Sequence, residues 1–376
     1  MSQSNNKYGN VLFCTADPTK NAGNIRDYFI QNSDRFIGFH FFPGYSSEHT
    51  YIEVFEFGKK IQKKQFKWYH GRNNILKNTF DYFNFCYTLL FVVKRDSFII
   101  VNAPFFCTLY FLFEFLKSFK YVLWIGDYYP QKYFPMNIYH AVVNYYNKNM
   151  KYVIYLSPPL KKIYGVGRNA GKYSQVISLG IKKNKITLSR SSGKKVRIGF
   201  IGIIRKQQGL DLAMRYLAKH KDSILEVVGD GYELNYYKML AKDLGLSNRI
   251  KFYGRVENVD DIFSKWDIGI ALYENTSDNL SLYCEPTKIK QYLSYGLPVI
   301  TTRATYFYKE LVNANAGIVI EETVDDLNEA VNKIMKNYNT YKKGVLKLID
   351  DYEYLSWYDK KLLFLRKNSM EKRYNY

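Results

Sequence analysis

The chain has 376 residues, of which 47% are hydrophobic and 18% aromatic, and a formal net charge of +21. That length exceeds one modest core and suits two domains of roughly 100 to 200 residues each, while the charge calls for an anionic partner: nucleic acid, a membrane surface or a phosphorylated substrate. Cys14, Cys86, Cys107 and Cys284 lie in or beside apolar segments with no short spacing, which argues against zinc, redox dithiols and a secreted disulfide framework and implies a reducing cytosol.

The N-terminal MSQSNNKYGN lacks the charged start and long apolar run of a signal peptide, so the chain is expected to stay in the compartment that made it. Strand VLFCTA (11–16), a polar loop over 17–24 and the helical pattern IRDYFIQN open an α/β domain. After strand RFIGFHFF comes a basic run, Lys59, Lys60, Lys63, Lys64, Lys67, Arg72 and Lys77, with no acidic residue between Glu56 and Asp81. Read as a helix, this run lines one side with lysines while Ile61, Trp68 and Tyr69 fall on another, a surface that suits an anionic leaflet or, more plainly, water. The abundance of 37 Tyr and 26 Phe beside Lys, Asn and Ile also fits the codon bias of an AT-rich genome.

FIIVNAPFFCTLYFLFEFL (98–116) is apolar but interrupted by Asn102, Pro104 and Glu114. It reads as strand, helix from Pro104 to about Phe119, then strand YVLWIG, rather than as a membrane span. YVIYLS and SQVISLG supply further strands, and the polar, Ser-rich stretch IKKNKITLSRSSGKK looks like an interdomain linker. The expected division is an N-terminal domain over 1–184, a linker over 185–195, a second domain over 196–345, and a C-terminal helix over 346–376 packing back toward the first domain.

Beyond the linker, strands VRIGFIG, ILEVVGDG, IKFYGRV, DIGIALY, PVITT and AGIVI alternate with helical patterns, which predicts a doubly wound parallel sheet. Ligands of such sheets bind beyond the carboxyl ends of the strands. Three strand-end turns carry suitable groups there: Gly202 to Gly209 with Arg205 and Lys206, Gly229 to Gly231, and Gly254 with Arg255. The fourth element is EPTKIKQYLSYGLPVI (285–300). Pro286 suits the first helical position and Gly296 the left-handed residue beyond the last turn. Lys288 and Gln291, three residues apart, share a face near the positive end of the helix dipole, where a diphosphate is favoured.

With these residues in hand, the segment from about 196 to 345 resembles the donor-binding half of GT-B glycosyltransferases, especially those like family 4, on FIGIIRKQQGLDLA, VVGDGYE, AKDLGLSNRIKFYGRV, WDIGIALY and EPTKIKQYLSYGLPVIT. The N-terminal half shares only the architecture. The resemblance implies an α/β GT-B fold of two doubly wound Rossmann-like domains facing a cleft. It also implies contacts of the first loop and the last-motif helix with a nucleotide diphosphate, and of the loop after the third strand with the base. Gln291 stands where the family commonly has a ribose-binding Glu, and Gln208 where it usually has Lys. A Lys followed by Gln three residues later, with Tyr fifteen residues before the Lys, is similar to the glucuronosyltransferases of exopolysaccharide assembly, where such residues hold a UDP-sugar; Tyr273, Lys288 and Gln291 occupy those positions here.

The implied donor set is Arg205, Lys206, Gly229, Gly231, Arg255, Tyr273, Glu285, Lys288 and Gln291. On the acceptor side it includes Gly23 and Asn24. Transfer with inversion needs a base near the acceptor hydroxyl, for which Asp127 after YVLWIG is the best placed carboxylate, ahead of Asp17, Glu48 and His49. If configuration is retained, Asp127 only orients the acceptor. No Asp-x-Asp motif occurs, so neither a metal nor a cofactor is expected. The resulting expectation is a cytoplasmic, peripheral membrane glycosyltransferase that moves a sugar from a UDP-sugar to a lipid-linked or envelope glycan. A soluble acceptor, or a basic nucleic-acid-binding protein, is the competing reading.

Overall fold

The computed structural model describes residues 7–16, 23–42, 49–67, 74–110, 119–130, 134–165, 171–184 and 195–365. Two compact units result: Met1–Gly180 with Tyr354–Tyr376, and Ile181–Glu353.

The first unit contains β1 (Tyr8–Ala16), α1 (Gly23–Asn32), β2 (Ser33–Phe41), β3 (Tyr51–Glu56), β4 (Lys59–Gln65), α2 (Asn74–Phe91), β5 (Ser97–Val101), β6 (Phe119–Ile125), α3 (Phe134–Asn149), β7 (Tyr152–Tyr155), α4 (Pro158–Tyr164) and β8 (Tyr173–Val176). Its eight-stranded sheet runs β4-β3-β2-β1-β5-β6-β7-β8. From β2 to β8 through β1 the strands are parallel, while β3 and β4 add antiparallel. Strand order reverses between β1 and β5, so their carboxyl ends mark a switch point. The strands facing helices on both sides read as unbroken apolar runs: Val11 to Cys14 and Ile99 to Val101 are all buried.

The basic run 59–65 is a strand, not a helix. Phe57 (φ 48°) and Gly58 (φ 79°) form a tight turn with both central residues at positive φ, and this folds β4 back on β3. Cross-strand charge fixes the hairpin. Lys60 donates to Glu53 at 2.9 Å, and Glu53 also accepts from Arg26 Nε and pairs with His40 Nε2, both at 2.9 Å. Burial of Glu53 opposes its ionisation, yet these hydrogen bonds more than offset that and hold its carboxyl below the usual range. From Pro104 onward, Pro104–Leu109 is a 310 helix, Tyr110 after it is α-helical, and 111–118 lie outside the described residues.

The second unit contains β9 (Val196–Ile201), α5 (Leu210–Lys219), β10 (Ser223–Val228), α6 (Leu234–Asp243), β11 (Ile250–Gly254), α7 (Asp260–Phe263), β12 (Ile268–Ala271), α8 (Thr287–Ser294), β13 (Val299–Thr301), α9 (Tyr308–Asn313), β14 (Gly317–Val319), α10 (Val324–Lys336) and α11 (Tyr338–Asp351). Its sheet is parallel throughout, in the order β11-β10-β9-β12-β13-β14. Helix α10 shows why the pattern was readable. Thr323 caps it by accepting the Asp326 N–H at 3.1 Å, and Leu327, Ala330, Val331 and Ile334 form its buried stripe.

The unit boundaries fall elsewhere than the composition suggests. Ile181 donates its N–H to Tyr352 O at 2.6 Å, and Asn184 Nδ2 donates to Ser294 Oγ at 2.9 Å, so 181–184 belong with the second unit. Val345, Leu348 and Ile349 of α11 are buried in that unit's core. The chain from Tyr354 on, opening with α12 (Tyr354–Lys361), joins the first unit, where Leu362 and Leu365 are also buried. The expected linker lies almost wholly in 185–194, outside the described residues.

Candidate functional site

In the second unit the strand order reverses between β9 and β12, and the described donor residues gather at the carboxyl ends beside that point. Tyr292 of α8 closes the gap. Its hydroxyl accepts the Ile201 N–H at 2.9 Å and donates to Ile270 O at 2.8 Å, and its ring lies where a side chain on Gly269 would be.

The turns after β9, β10 and β11 are laced together by their own backbones. Gly202 N–H donates to Val228 O at 3.0 Å, Gly229 N–H to Gly254 O at 2.8 Å, and Ile204 N–H to Asp230 O at 2.9 Å. This close approach demands glycine at 229, where φ is +133° and a Cβ would stand 1.9 Å from Gly202 O. A Cβ on Gly231 would meet Ile204 O at 2.1 Å. Asn279, fully buried after β12, ties that loop to the first one through 2.7 Å and 3.4 Å bonds to Glu274 O and Gln207 O.

Lys288 projects from the first turn of α8 into this cluster and is only 7% exposed. Its ammonium donates to Gln208 Oε1 at 2.7 Å and sits 3.8 Å from the Phe200 ring centroid and 5.1 Å from that of Tyr273. Gly202 lets its stem pass: a Cβ there would come within 3.1 Å of Lys288 Cε. Among the described residues no carboxylate pairs with it. Burial, and secondarily the positive charge of Arg205, push its pKa well below the usual lysine range. Arg205 itself keeps a buried Nε with no hydrogen-bond partner among the described residues. The site therefore offers a buried amine and a guanidinium whose charged forms an anion would stabilise.

Of the other predicted donor residues, Gln291 is half-buried on the same helix, and Lys206 and Arg255 are exposed at their turns. Glu285 is buried in an ion pair with Lys290 Nζ at 2.5 Å and accepts from the Tyr306 hydroxyl. Pro286 precedes the helix as its cap rather than starting it, and Gly296 (φ 76°) is left-handed as expected. Sequence reasoning overlooked Tyr292, Asn279 and Phe200, and recorded Gln208 only as a departure from a pattern. Tyr292 and Asn279 bond strand ends and loops far away in sequence, so no local signal marks them.

In the first unit Asp127 is exposed just beyond β6. Gly23 opens α1. Asn24 has both ends of its amide engaged: Nδ2 donates to Gly180 O, and Oδ1 accepts from Tyr358 at 2.9 Å. His49 is half-buried, and Asp17 and Glu48 lie outside the described residues. Among the described residues no group of three or more His, Cys, Asp or Glu is placed to hold a metal ion.

The profile of the family "Glycosyl transferases group 1" matches residues 182–345. N-acetyl-alpha-D-glucosaminyl L-malate synthase of Bacillus anthracis is 24% identical over 139 residues, which are 37% of this chain and 35% of that protein. The chain thus aligns with about a third of that curated relative's length. Sucrose-phosphate synthase from Thermosynechococcus elongatus superposes with a TM-score of 0.67 at 13% identity, covering 96% of this chain and 98% of its own. Anabaena HepE, solved in complex with UDP, superposes with a TM-score of 0.65 at 13% identity, covering 96% and 100%. The chain has the two-domain GT-B fold, and over residues 182–345 it is similar to the group 1 glycosyl transferases.

Proposed function

We propose that this protein transfers a sugar from a UDP-sugar to a hydroxyl of a lipid-linked or envelope glycan at the cytoplasmic face of a membrane, without a metal ion or cofactor. The observation that carries the reading is Lys288, a buried ammonium with no carboxylate partner among the described residues, aimed among strand-end loops whose backbones are packed as closely as glycine allows. In this reading Lys288 and Arg205 meet the diphosphate, with Lys206 and Arg255 adding charge at the exposed turns. Gly229 and Gly231 permit close approach, Gln291 hydrogen-bonds ribose hydroxyls, and Tyr273 backs the ammonium. Glu285, held by Lys290 and Tyr306, fixes the approach to α8.

The bond between the anomeric carbon and the diphosphate oxygen breaks, and its electron pair leaves with UDP, whose added negative charge falls on Lys288 and Arg205. The acceptor oxygen bonds to the anomeric carbon and gives its proton to Asp127, with Gly23 and Asn24 on the acceptor side. That the similar Anabaena protein is solved with UDP supports the choice of nucleotide. The test is thermal unfolding with UDP-, GDP-, ADP- and CDP-sugars. UDP-sugars should raise the melting temperature of the protein and not of Lys288→Ala; no shift with any nucleotide overturns the reading.

A further inference from the structure

Helix α2 is apolar on both sides: Phe85 and Leu89 are buried in the core, yet an apolar row also faces outward. Its only two charged residues, Lys77 and Asp81, are buried and paired at 2.7 Å, with Lys77 also donating to Thr50 Oγ1 at 3.2 Å and Thr50 donating to Asp81. Meanwhile Leu76, Phe80, Phe83, Tyr87 and Leu90, spaced alternately four and three apart, form an outward row. Phe83 is 63% exposed, Leu90 61% and the adjoining Phe91 74%. Nearby, Phe105 of the 310 turn is also exposed, with its ring centroid 5.1 Å from that of Tyr82 on the same helix. A continuous apolar face of this kind marks a contact surface, since scattered exposed residues would not repeat at helical spacing.

Positive charge borders the face. Lys64 of β4 places its ammonium 4.4 Å from the Tyr87 ring centroid and 3.1 Å from its hydroxyl. Lys59 is exposed on the same edge strand, and exposed Lys94 and Arg95 follow the helix beside exposed Asp96, whereas Lys60 and Lys63 lie over Phe55 and Tyr51 on the sheet face of Glu53. We infer that the exposed face of α2, bordered by Lys59 and Lys64 of β4 and by Lys94 and Arg95, docks the protein onto an anionic lipid bilayer. The apolar side chains enter the interfacial region while the ammonium groups meet lipid phosphates or carboxylates. No described helix is long and apolar enough to cross a membrane, so the contact is with one leaflet.

The spacing of the row also fits a helix–helix seam. A second copy of the chain packed there would bring two sets of lysines together with no acidic residue on the exposed face of α2 to pair with them, and this favours lipid as the occupant. The inference names the surface behind the membrane-borne acceptor proposed above, and its test needs no substrate.

The full chain is mixed with vesicles of phosphatidylcholine alone, or of phosphatidylcholine with phosphatidylglycerol, and pelleted. Wild type should bind the anionic vesicles and not the neutral ones. The triple variant Phe83→Ser, Leu90→Ser, Phe91→Ser should bind at least about tenfold less, because it removes the inserted apolar area. Lys59→Gln and Lys94→Gln should each weaken binding by about fivefold, the equivalent of ~1 kcal/mol per basic residue. Retention of the wild-type far-UV spectrum and UDP-induced melting shift by these variants separates the surface from the nucleotide site. Equal binding of wild type and the triple variant overturns the inference, as does a wild-type dimer by light scattering that turns monomeric in the triple variant without any vesicle binding. Vesicle binding without any nucleotide shift would sink the donor reading and leave this one standing.

Discussion

Lys288 shows how one residue carries a site. A buried amine between Phe200 and Tyr273, with the neutral Gln208 as its acceptor among the described residues, is costly to protonate. Lys288→Met should therefore raise the stability of the free protein by about 0.5–2 kcal/mol in urea denaturation, while weakening UDP binding by about 1.5–3 kcal/mol in titration calorimetry. The pH dependence has a defined sign. Because the folded pKa is lowered, the unfolded chain holds more protons between that value and the usual lysine range, so the free protein gains stability as pH rises through this window. A diphosphate favours the charged amine, so UDP affinity is full below the lowered pKa and falls as pH rises through it. Lys288→Met should lose this drop and report only the nucleotide's own titration. The position of Lys288 was legible from the Pro and Gly framing its helix; its burial was not, because Phe200 and Gln208 arrive from another strand and loop.

At the scale of elements, the site is a set of strand ends held edge to edge. Gly202, Gly229 and Gly254 follow three neighbouring strands, and the first two donate their N–H groups across to the next turn. Gly229→Ala forces a side chain against Gly202 O in a backbone conformation that alanine avoids. It should cost about 2–4 kcal/mol and remove the UDP-induced melting shift, as measured by denaturation with and without nucleotide. The β3–β4 hairpin makes the opposite point about legibility. Lys-Lys-Ile-Gln-Lys-Lys-Gln has no strand alternation, and it extends only because the turn at Phe57 and Gly58 sets it against Glu53 and Glu56. In α2 the helical period is plain in the structure, but the face that meets the sheet joins Phe85 and Leu89 with Lys77 and Asp81, whose partner Thr50 is distant in the chain.

For the whole molecule, the chain passes from the first unit to the second at Gly180–Ile181 and returns at Glu353–Tyr354. Helix α12 then completes the first core. Tyr358 is fully buried, its hydroxyl accepting from Gly180 N–H at 2.9 Å and donating to Asn24 Oδ1 at 2.9 Å, while Asp359 accepts from Tyr28 at 2.7 Å. Tyr358→Phe leaves both the amide and the carbonyl unpaired. It should destabilise the first unit by about 1–3 kcal/mol in urea denaturation and leave the UDP-induced shift of the second unit in place.

The alternation of apolar strands with amphipathic helices, and the glycines and prolines that end them, reside in the local sequence because each depends on a residue's own backbone preferences and on its near neighbours. Those features were sufficient to read two doubly wound units and to mark the loops around Lys288. Burial and pairing depend on partners distant in the chain. For that reason only the tertiary structure decided that the basic run is an edge strand, that Tyr292 bolts β9 to β12, that α11 belongs to the second unit, and that Lys288 lies beneath the surface while α2 presents its phenylalanines on it.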